Sequence, residues 1–277
     1  MGILGAMKKG LEIAGKSLLL CVVAMVILFV GYVIIGALLG TTILATKFPP
    51  ITPEMTPQQI NALNWAGVNW TLFIPSALVI FLMGFLLNSF TQGGIVATLK
   101  DCATEGKERI ASFFGYAVKY CLRLFLQIVL IVIVTIISVT AALLVMTLIG
   151  ALNVKALVIV LSAIIFFVLL VALIYIAMVL MYSQIYVIFN NSRAIEGLAG
   201  AIKFLGKNLI KATTLFVLTG LVYLVCYLVI RQLTMVTFRW PVVSQIIWNL
   251  AASYVYLIVS MFMLGSFVTF YSSRAQK

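Results

Sequence analysis

Residues 156–189 read ALVIVLSAIIFFVLLVALIYIAMVLMYSQIYVIF, and this stretch decides the fold class. It contains 34 residues and no charged side chain. A transmembrane helix needs about 20 mostly apolar residues, because about 30 Å of hydrocarbon is crossed at about 1.5 Å per residue. This helix is therefore too long for the hydrocarbon layer, and we expect it to protrude or tilt strongly, without a break near Tyr175. Its end, with Tyr182, Gln184 and Tyr186, should pack on the segment that follows.

Five further stretches are long and apolar enough to cross a membrane. They are Leu18–Ala45, Thr71–Leu99, Leu124–Leu152, Ala212–Ile230 and Val242–Tyr271. The chain has 277 residues, of which 65% are hydrophobic and 9% charged, whereas soluble domains are about 45–50% apolar and about 25% charged. A soluble single domain is excluded. We predict an all-α polytopic membrane protein, with residues 1–277 forming one membrane domain of six transmembrane helices.

The basic residues predict how the chain is oriented. With six spans, fourteen of the eighteen Lys and Arg residues collect on one side, and the other side keeps Lys47, Lys155, Arg231 and Arg239. Cytoplasmic loops carry an excess of Lys and Arg, and Trp settles at membrane interfaces. All four Trp residues fall near the side with few cations. We predict a multi-pass protein of the cell membrane with both the N and C termini in the cytoplasm.

The composition argues against an enzyme. The chain has no His, so a His-based catalytic triad and a His-ligated metal site are excluded. The six acidic residues lie outside the predicted spans, and the four Cys residues form no C-x-x-C pair, which also argues against a redox motif. We therefore expect no enzymatic activity, no catalytic residue, no cofactor and no bound metal.

Three segments of similar sequence precede the first, third and fifth spans. They read GLEIAGKSLLLC around Lys16, FFGYAVKYCLRL around Lys119 and AIKFLGKNLIKA around Lys207. The second, fourth and sixth spans end on LLNSF, LMYSQ and MLGSF. One interpretation is three tandem units, approximately 1–100, 101–192 and 193–277, each a cytoplasmic amphipathic interfacial helix followed by a helical hairpin. The alternative is that any helix entering from the cytoplasm begins with Lys and apolar residues.

These amphipathic segments carry the first group of candidate site residues. Basic residues four apart share one face of a helix, and a helix with one basic and one apolar face lies in the plane of the lipid headgroups. We predict docking to membrane lipids, which we expect to be anionic, or to a cytoplasmic or membrane protein partner; the alternative is that the segments only anchor the bundle. Nucleic acid is excluded as a partner, because the cations lie in four short segments without a binding motif. The candidate residues are Lys8, Lys16, Lys119, Arg123, Lys203, Lys207 and Lys211.

A second group of candidates consists of uncharged polar residues in the half of the spans nearer the cytoplasm. They form a polar vestibule open to the inner leaflet, or they make hydrogen bonds between helices, typically about 0.6–2 kcal/mol each. Small residues also recur four apart, at Gly36 and Gly40 and at Ser89, Gly93 and Ala97, which permits close approach of helices. The vestibule candidates are Asn88, Gln92, Gln127 and Gln184.

The loop between the first two spans, residues 46–70, is the longest predicted segment outside the membrane on the far side. Pro49, Pro50, Pro53 and Pro57 stiffen its first half. A capping pattern at Thr56 predicts a short helix that ends near Trp65. We interpret the loop as a lid on the membrane interface, and a surface that contacts a partner or substrate is the alternative.

The stretch FLLNSFTQGGIVATLKD, followed by a polar segment and FFGYAVKYCLRLF, and the later stretch AIKFLGKNLIKATTLF, carry a resemblance. Their arrangement resembles the bacterial and archaeal six-span proteins typified by the membrane domain of glycerophosphodiester phosphodiesterases. The resemblance covers most of the chain and implies the six-span fold. We expect the catalytic barrel of those phosphodiesterases to be absent, and no catalytic residue carries over.

Two functions of different classes fit these observations. The first is a non-enzymatic integral membrane component, a scaffold, anchor or accessory subunit with a basic, lipid-facing cytoplasmic surface. The alternative is a transporter or lipid-handling permease whose amphiphilic substrate enters from the inner leaflet. A filled, dry bundle favours the first function, and a cavity between the second, fourth and sixth spans favours the alternative.

Overall fold

The computed structural model describes residues 1–46, 67–106, 110–150, 155–237 and 242–275, and these residues are helical almost throughout. A short 3-10 turn at Ile110–Ser112 precedes the fourth helix. The predicted all-α class is confirmed. The seven α-helices of the described residues are α1 (Ile3–Lys16), α2 (Leu18–Ala45), α3 (Trp70–Glu105), α4 (Phe113–Gly150), α5 (Lys155–Asn190), α6 (Ala194–Thr237) and α7 (Val242–Ala275).

The six helices α2 to α7 are long and apolar enough to cross a membrane. In the most apolar part of each helix, at most 39% of the residues are buried within the protein. Lipid tails solvate Leu, Ile and Val side chains as well as a protein interior does. The six predicted spans are therefore confirmed, and the chain is an integral, multi-pass membrane protein.

Helix α5 is continuous over 36 residues and shows no break at Tyr175, as predicted. At about 1.5 Å per residue it is about 54 Å long. The predicted packing of its end on the next segment is also confirmed: the ring of Tyr182 lies 5.1 Å from that of Phe204 in α6. The predicted protrusion or tilt relative to the bilayer stays a prediction.

The helices pair as three hairpins, α2 with α3, α4 with α5 and α6 with α7. The second helices of the hairpins, α3, α5 and α7, contact one another in all three combinations. Each second helix also packs on the start of the following unit: α3 on α4, α5 on α6, and α7 on α1. Because α7 returns to α1, the three hairpins close into a ring.

Nearly all fully buried side chains lie at one end of this ring. We call this end the basic end, and it comprises α1 with residues 17–24, 88–105, 113–131, 178–190, 194–215 and 261–274. At the opposite end, which we call the far end, the helices expose most of their side chains. There the backbone N–H of Asn69 donates to the carbonyl of Thr46 at 3.0 Å, which joins α2 to the residue before α3.

Glycines allow the three contacts between units to be close. A Cβ atom on Gly10 would lie 2.7 Å from the backbone nitrogen of Ser266 in α7. A Cβ atom on Gly94 would overlap the ring of Phe113, and one on Gly197 would overlap a valine of α5. At Gly10 the close atoms include backbone, so a larger side chain requires the two helices to move apart. At Gly94 and Gly197 the closest atoms belong to side chains, which would have to rearrange.

The two small-residue patterns have different outcomes. Ser89, Gly93 and Ala97 are buried, and Gly93 lies opposite the start of α4. Gly36 and Gly40 are exposed, and a Cβ atom at either position would meet nothing within 4 Å. Only the first row is used for helix packing within the described part of the chain.

The prediction of a separate helix before the span is confirmed for the first and third units and wrong for the second. The position of these helices at the membrane interface stays a prediction. Ser17, with φ −96° and ψ 25°, separates α1 from α2. In α6 the chain is helical on both sides of Asn208, which has φ −128° and ψ 19°. Helix α4 continues from Phe113 through its span without interruption. The predicted lid helix falls within residues 47–66, which lie outside the described residues.

Candidate functional site

Helix α1 presents three strips along its length at the basic end. The buried strip packs mainly on α7 and consists of small and apolar residues. Next around the helix comes an exposed apolar strip, in which Leu4 is 78% and Leu11 64% exposed. The third strip is charged and exposed, and it contains Lys8, Glu12 and Lys16.

The start of α6 shows the same three strips. Their order around the helix axis is also the same, when each residue is rotated by 100° from the one before it. The buried strip includes Ala201 and Leu205. The exposed apolar strip is Ile195, Ile202 and Leu209. The exposed basic strip is Lys203, Lys207 and Lys211.

The start of α4 repeats this order a third time. Its buried strip includes Phe113 and Ala117, which pack on α3. The exposed apolar strip is Phe114, Val118 and Leu122. The basic strip has the exposed Lys119 and the half-buried Arg123. Each unit thus places an apolar strip and a cationic strip side by side on the outside of the basic end.

Arg123 differs from the other six candidates because it is bound to the turn between two other helices. Its Nη1 atom donates to the carbonyl and to the side-chain oxygen of Asn191, both at 2.9 Å, and to the carbonyl of Ser192 at 3.3 Å. Asn191 has φ 50°, the left-handed conformation in which the chain turns from α5 to α6. Arg123 therefore clamps the turn after α5.

Two lysines that the sequence analysis did not select have similar roles. Lys9 donates to the carbonyl of Ala103 at 3.2 Å, near the end of α3. Lys100 donates to the carbonyl of Ile188 at 3.2 Å, near the end of α5, and lies 5.1 Å from the ring centre of Phe189. Cations are favourable at helix C-termini, where carbonyls lack helical partners. The sequence offered no signal that distinguishes these lysines from lysines that face lipid.

The charged strip of α1 contains an internal ion pair. Lys16 Nζ lies 2.7 Å from Glu12 Oε1, one helical turn away. This hydrogen bond, together with the charge attraction, lowers the pKa of Glu12 and raises the pKa of Lys16. Both groups are fully exposed, so the pair contributes little to folding. It offsets one of the positive charges that α1 presents.

The four vestibule candidates lie at the basic end in the packed part of the bundle. Gln127 is fully buried, and its Nε2 donates to the carbonyls of Ala194 at 3.1 Å and Ser183 at 3.4 Å. Gln184 is 7% exposed, whereas Asn88 and Gln92 are half-buried. Gln127 thus bridges α4 to α5 and α6. The vestibule itself stays a prediction.

Other polar contacts at this end were missed from the sequence. Asp101 is 7% exposed and accepts from the hydroxyl of Tyr116 at 2.8 Å, which ties α3 to α4. Asn190 donates to the hydroxyl of Tyr271 at 3.2 Å, which ties α5 to α7. Within the described ranges, no group of three or more His, Cys, Asp or Glu residues is placed to hold a metal ion.

Comparison with protein-family models, with curated proteins and with solved structures finds no match to this chain. The resemblance to the membrane domain of glycerophosphodiester phosphodiesterases therefore stays a hypothesis about the fold.

Proposed function

We propose that this chain is a non-enzymatic integral membrane component, a scaffold, anchor or accessory subunit, whose basic end rests on the anionic inner leaflet of the cell membrane. Both termini are then cytoplasmic. The observation that carries the proposal is the threefold recurrence of an exposed apolar strip beside one or more exposed lysines, on α1, α4 and α6.

The two strips match the two layers of a leaflet. An amphipathic helix buries its apolar face about 5–10 Å into the boundary between headgroups and acyl chains. Leu11, Phe114 and Ile202, each more than half exposed, would occupy that boundary. The lysines of the adjacent strip would then lie at the phosphate level, where each cation contributes about 1 kcal/mol.

The packing of the basic end favours a scaffold over a permease that loads from the inner leaflet. Such a permease needs an opening at the basic end. The centre of this end is filled, because Gln127 is enclosed between three helices and Phe113, Tyr182 and Phe267 are fully buried. Two pockets open on its surface, one of about 470 Å³ beside Arg123 and one of about 290 Å³ beside Lys9. The permease remains the second candidate. The feature that favours it is a shallow apolar groove of about 440 Å³ between the middle of α5 and α6.

We also propose that the three units are true repeats. The register that aligns Lys16, Lys119 and Lys207 also aligns Ser17 with Asn208, the two positions where the helix departs from α geometry. Side-chain burial supports the same register. The triplets of this register that are buried in all three units are Gly10, Phe113 and Ala201; Ala14, Ala117 and Leu205; Cys21, Leu124 and Ala212; and Ala24, Gln127 and Leu215. The serines of the LLNSF, LMYSQ and MLGSF stretches, Ser89, Ser183 and Ser266, are also buried in all three units.

Replacing Lys203, Lys207 and Lys211 together with Gln tests the lipid-docking proposal. We expect the attachment of this segment to anionic lipid to weaken by at most about 3 kcal/mol, at about 1 kcal/mol per cation. The loss should shrink as salt rises, because exposed charges are screened over about 10 Å at 0.1 M. Hydrogen exchange across residues 195–211, in nanodiscs with and without anionic lipid and at two salt concentrations, measures it.

The matched control replaces the same three lysines with Arg, which keeps the charge and should keep the protection. Helix propensity hardly differs between Lys, Arg and Gln, so all variants should stay folded. Protection that ignores both lipid charge and salt would contradict docking to lipid. Normal lipid docking with loss of a co-purifying protein would instead identify the strip as a protein-binding surface.

The proposed orientation is tested by labelling single cysteines. Thr52→Cys and Glu105→Cys, each introduced after the four native cysteines are replaced, should react with a membrane-impermeant reagent from opposite sides. The reason is the excess of Lys and Arg at the basic end. Labelling of both positions from the same side would overturn the topology.

A further inference from the structure

An arginine and a group of tyrosines lie between α6 and α7 at the far end, remote from the basic end. Tyr223, Tyr227, Arg231 and Thr234 follow one another at intervals of four, four and three residues along α6. This spacing places them on one face of the helix. The same face meets α7 at Tyr256.

Aromatic contacts and one hydrogen bond fix this face against α7. The ring of Tyr256 lies 6.1 Å from that of Tyr223 and 6.2 Å from that of Tyr227. Nearer the end of α6, the indole N–H of Trp248 donates to the hydroxyl of Thr234 at 2.8 Å. The two helices are thus held together at two levels along their length, and a gap lies between these levels.

The gap is a shallow cavity, open at the protein surface, of about 590 Å³, lined by Tyr227, Arg231, Thr234, Met235 and Tyr256. Arg231 is exposed, and within the described part of the chain its guanidinium has no ion-pair partner. The cavity therefore combines an unneutralised cation, phenolic hydroxyls that can donate hydrogen bonds, and aromatic and methionine walls.

We propose that this cavity binds the phosphate headgroup of an anionic membrane phospholipid. A guanidinium presents paired N–H donors that match phosphate oxygens, and the hydroxyls of Tyr227 and Tyr256 supply further donors. The site lies near the end of a transmembrane helix, where headgroups are found. A lipid whose phosphate sits at Arg231 lays its acyl chains on the apolar flanks of α6 and α7. The site is independent of the proposed docking of the basic end.

The proposal is tested on the full-length protein in detergent micelles that contain a small mole fraction of a phosphatidylglycerol with a photoreactive headgroup. Labelling is quantified by mass spectrometry on peptides covering residues 223–256 and, as an internal reference, on peptides of the basic end. We expect Arg231→Gln to lower labelling of the far-end peptides about fivefold, which corresponds to about 1 kcal/mol, and to leave the basic-end peptides unchanged. Arg231→Lys should give an intermediate result, because charge is kept without the paired donors. Lys119→Gln, which removes one exposed cation at the basic end, should not change the far-end labelling.

Two competitors identify the ligand chemistry. Unlabelled phosphatidylglycerol should displace the probe from the far end, whereas a diacylglycerol with the same acyl chains should not. Displacement by diacylglycerol as effective as that by the phospholipid would reduce the site to an apolar groove and overturn the proposal. Displacement by millimolar inorganic phosphate alone would make it a site for free anions and would also overturn it. Equal far-end labelling of the native protein and Arg231→Gln, with both folded by circular dichroism, would be decisive against it.

Discussion

Replacing Gly10 with Leu is expected to separate α1 from α7 and to lower the free energy of unfolding by about 3 kcal/mol. A Cβ atom at Gly10 would lie 2.7 Å from the backbone nitrogen and 2.9 Å from the Cα atom of Ser266. Backbone atoms cannot turn away as a flexible side chain can, so the helices must move apart. Overpacking typically costs about 1–3 kcal/mol, occasionally more. Thermal unfolding in detergent and hydrogen exchange of residues 3–16 measure the effect.

Gly15 provides a matched control in the same helix. It is exposed, and a Cβ atom there would meet nothing within 4 Å. Gly15→Leu makes the same chemical change, and because Leu favours helix over Gly by about 0.8 kcal/mol, this variant should be as stable as the native protein or slightly more so. Similar unfolding temperatures for the Gly10 and Gly15 variants would show that α1 does not pack on α7 as described.

The Gly10 contact matters because it closes the ring of helices. The contacts of α3 on α4 and of α5 on α6 join units that follow each other in the chain, whereas α7 on α1 joins the last unit to the first. If Gly10→Leu opens only this contact, exchange should rise in α1 and near Ser266 and should stay low around Gly94. A uniform rise would instead indicate that the whole basic end unfolds as one unit.

The number and type of the elements could be predicted from the sequence because long apolar stretches have few alternatives in a membrane. The ends of the helices could not be predicted in the same way. Hydropathy placed the second span at Thr71–Leu99, whereas the helix runs over Trp70–Glu105. The amphipathic segment predicted before the fifth span joins that span in one helix, Ala194–Thr237, with a kink at Asn208. The difference arises because hydropathy reports contact with lipid, whereas the helices continue past the hydrocarbon layer into packed and polar surroundings.

Contacts between helices were predicted less well, because a row of small residues shows that one helix can be approached closely but does not show whether another helix lies there. The rows at Gly36 and at Gly93 look alike in sequence, yet only Gly93 lies against another helix in the described structure. The three segments around Lys16, Lys119 and Lys207 were more informative. When the three segments are aligned on these lysines, their lysines and their buried residues fall at matching positions. The three segments together therefore predict the buried face better than any one of them alone.

The sequence predicted on which helix face each candidate residue lies. It did not predict which group each side chain contacts. Periodicity places Lys203, Lys207 and Lys211 on one exposed face, which the structure also shows. It cannot separate a cation that faces headgroups from one that reaches the carbonyl of another helix, because that contact spans a long sequence separation. Lys9, Lys100 and Arg123 bind carbonyls 94, 88 and 68 residues away.

Arg123 and Lys119 allow these two roles to be separated experimentally. They lie one turn apart on α4, and both were predicted to dock on lipid. Arg123→Gln should lower the free energy of unfolding by about 2–3 kcal/mol, because hydrogen bonds to charged groups contribute about 1.5–3 kcal/mol. The Nη1 atom of Arg123 donates to two oxygens of Asn191 and to one oxygen of Ser192. Hydrogen exchange should rise across residues 190–194.

The matched change, Lys119→Gln, removes the same charge from an exposed side chain and should leave stability within about 0.5 kcal/mol. Its effect on association with anionic nanodiscs should fade as salt rises, since it acts through screened charge. The Arg123 effect should persist in high salt and in neutral lipid, because these are direct hydrogen bonds within the protein and do not depend on the charge of the lipid. If instead the Arg123 variant loses stability only in anionic lipid and only at low salt, its contact with Asn191 is incidental, and Arg123 belongs with the lysines as a headgroup ligand.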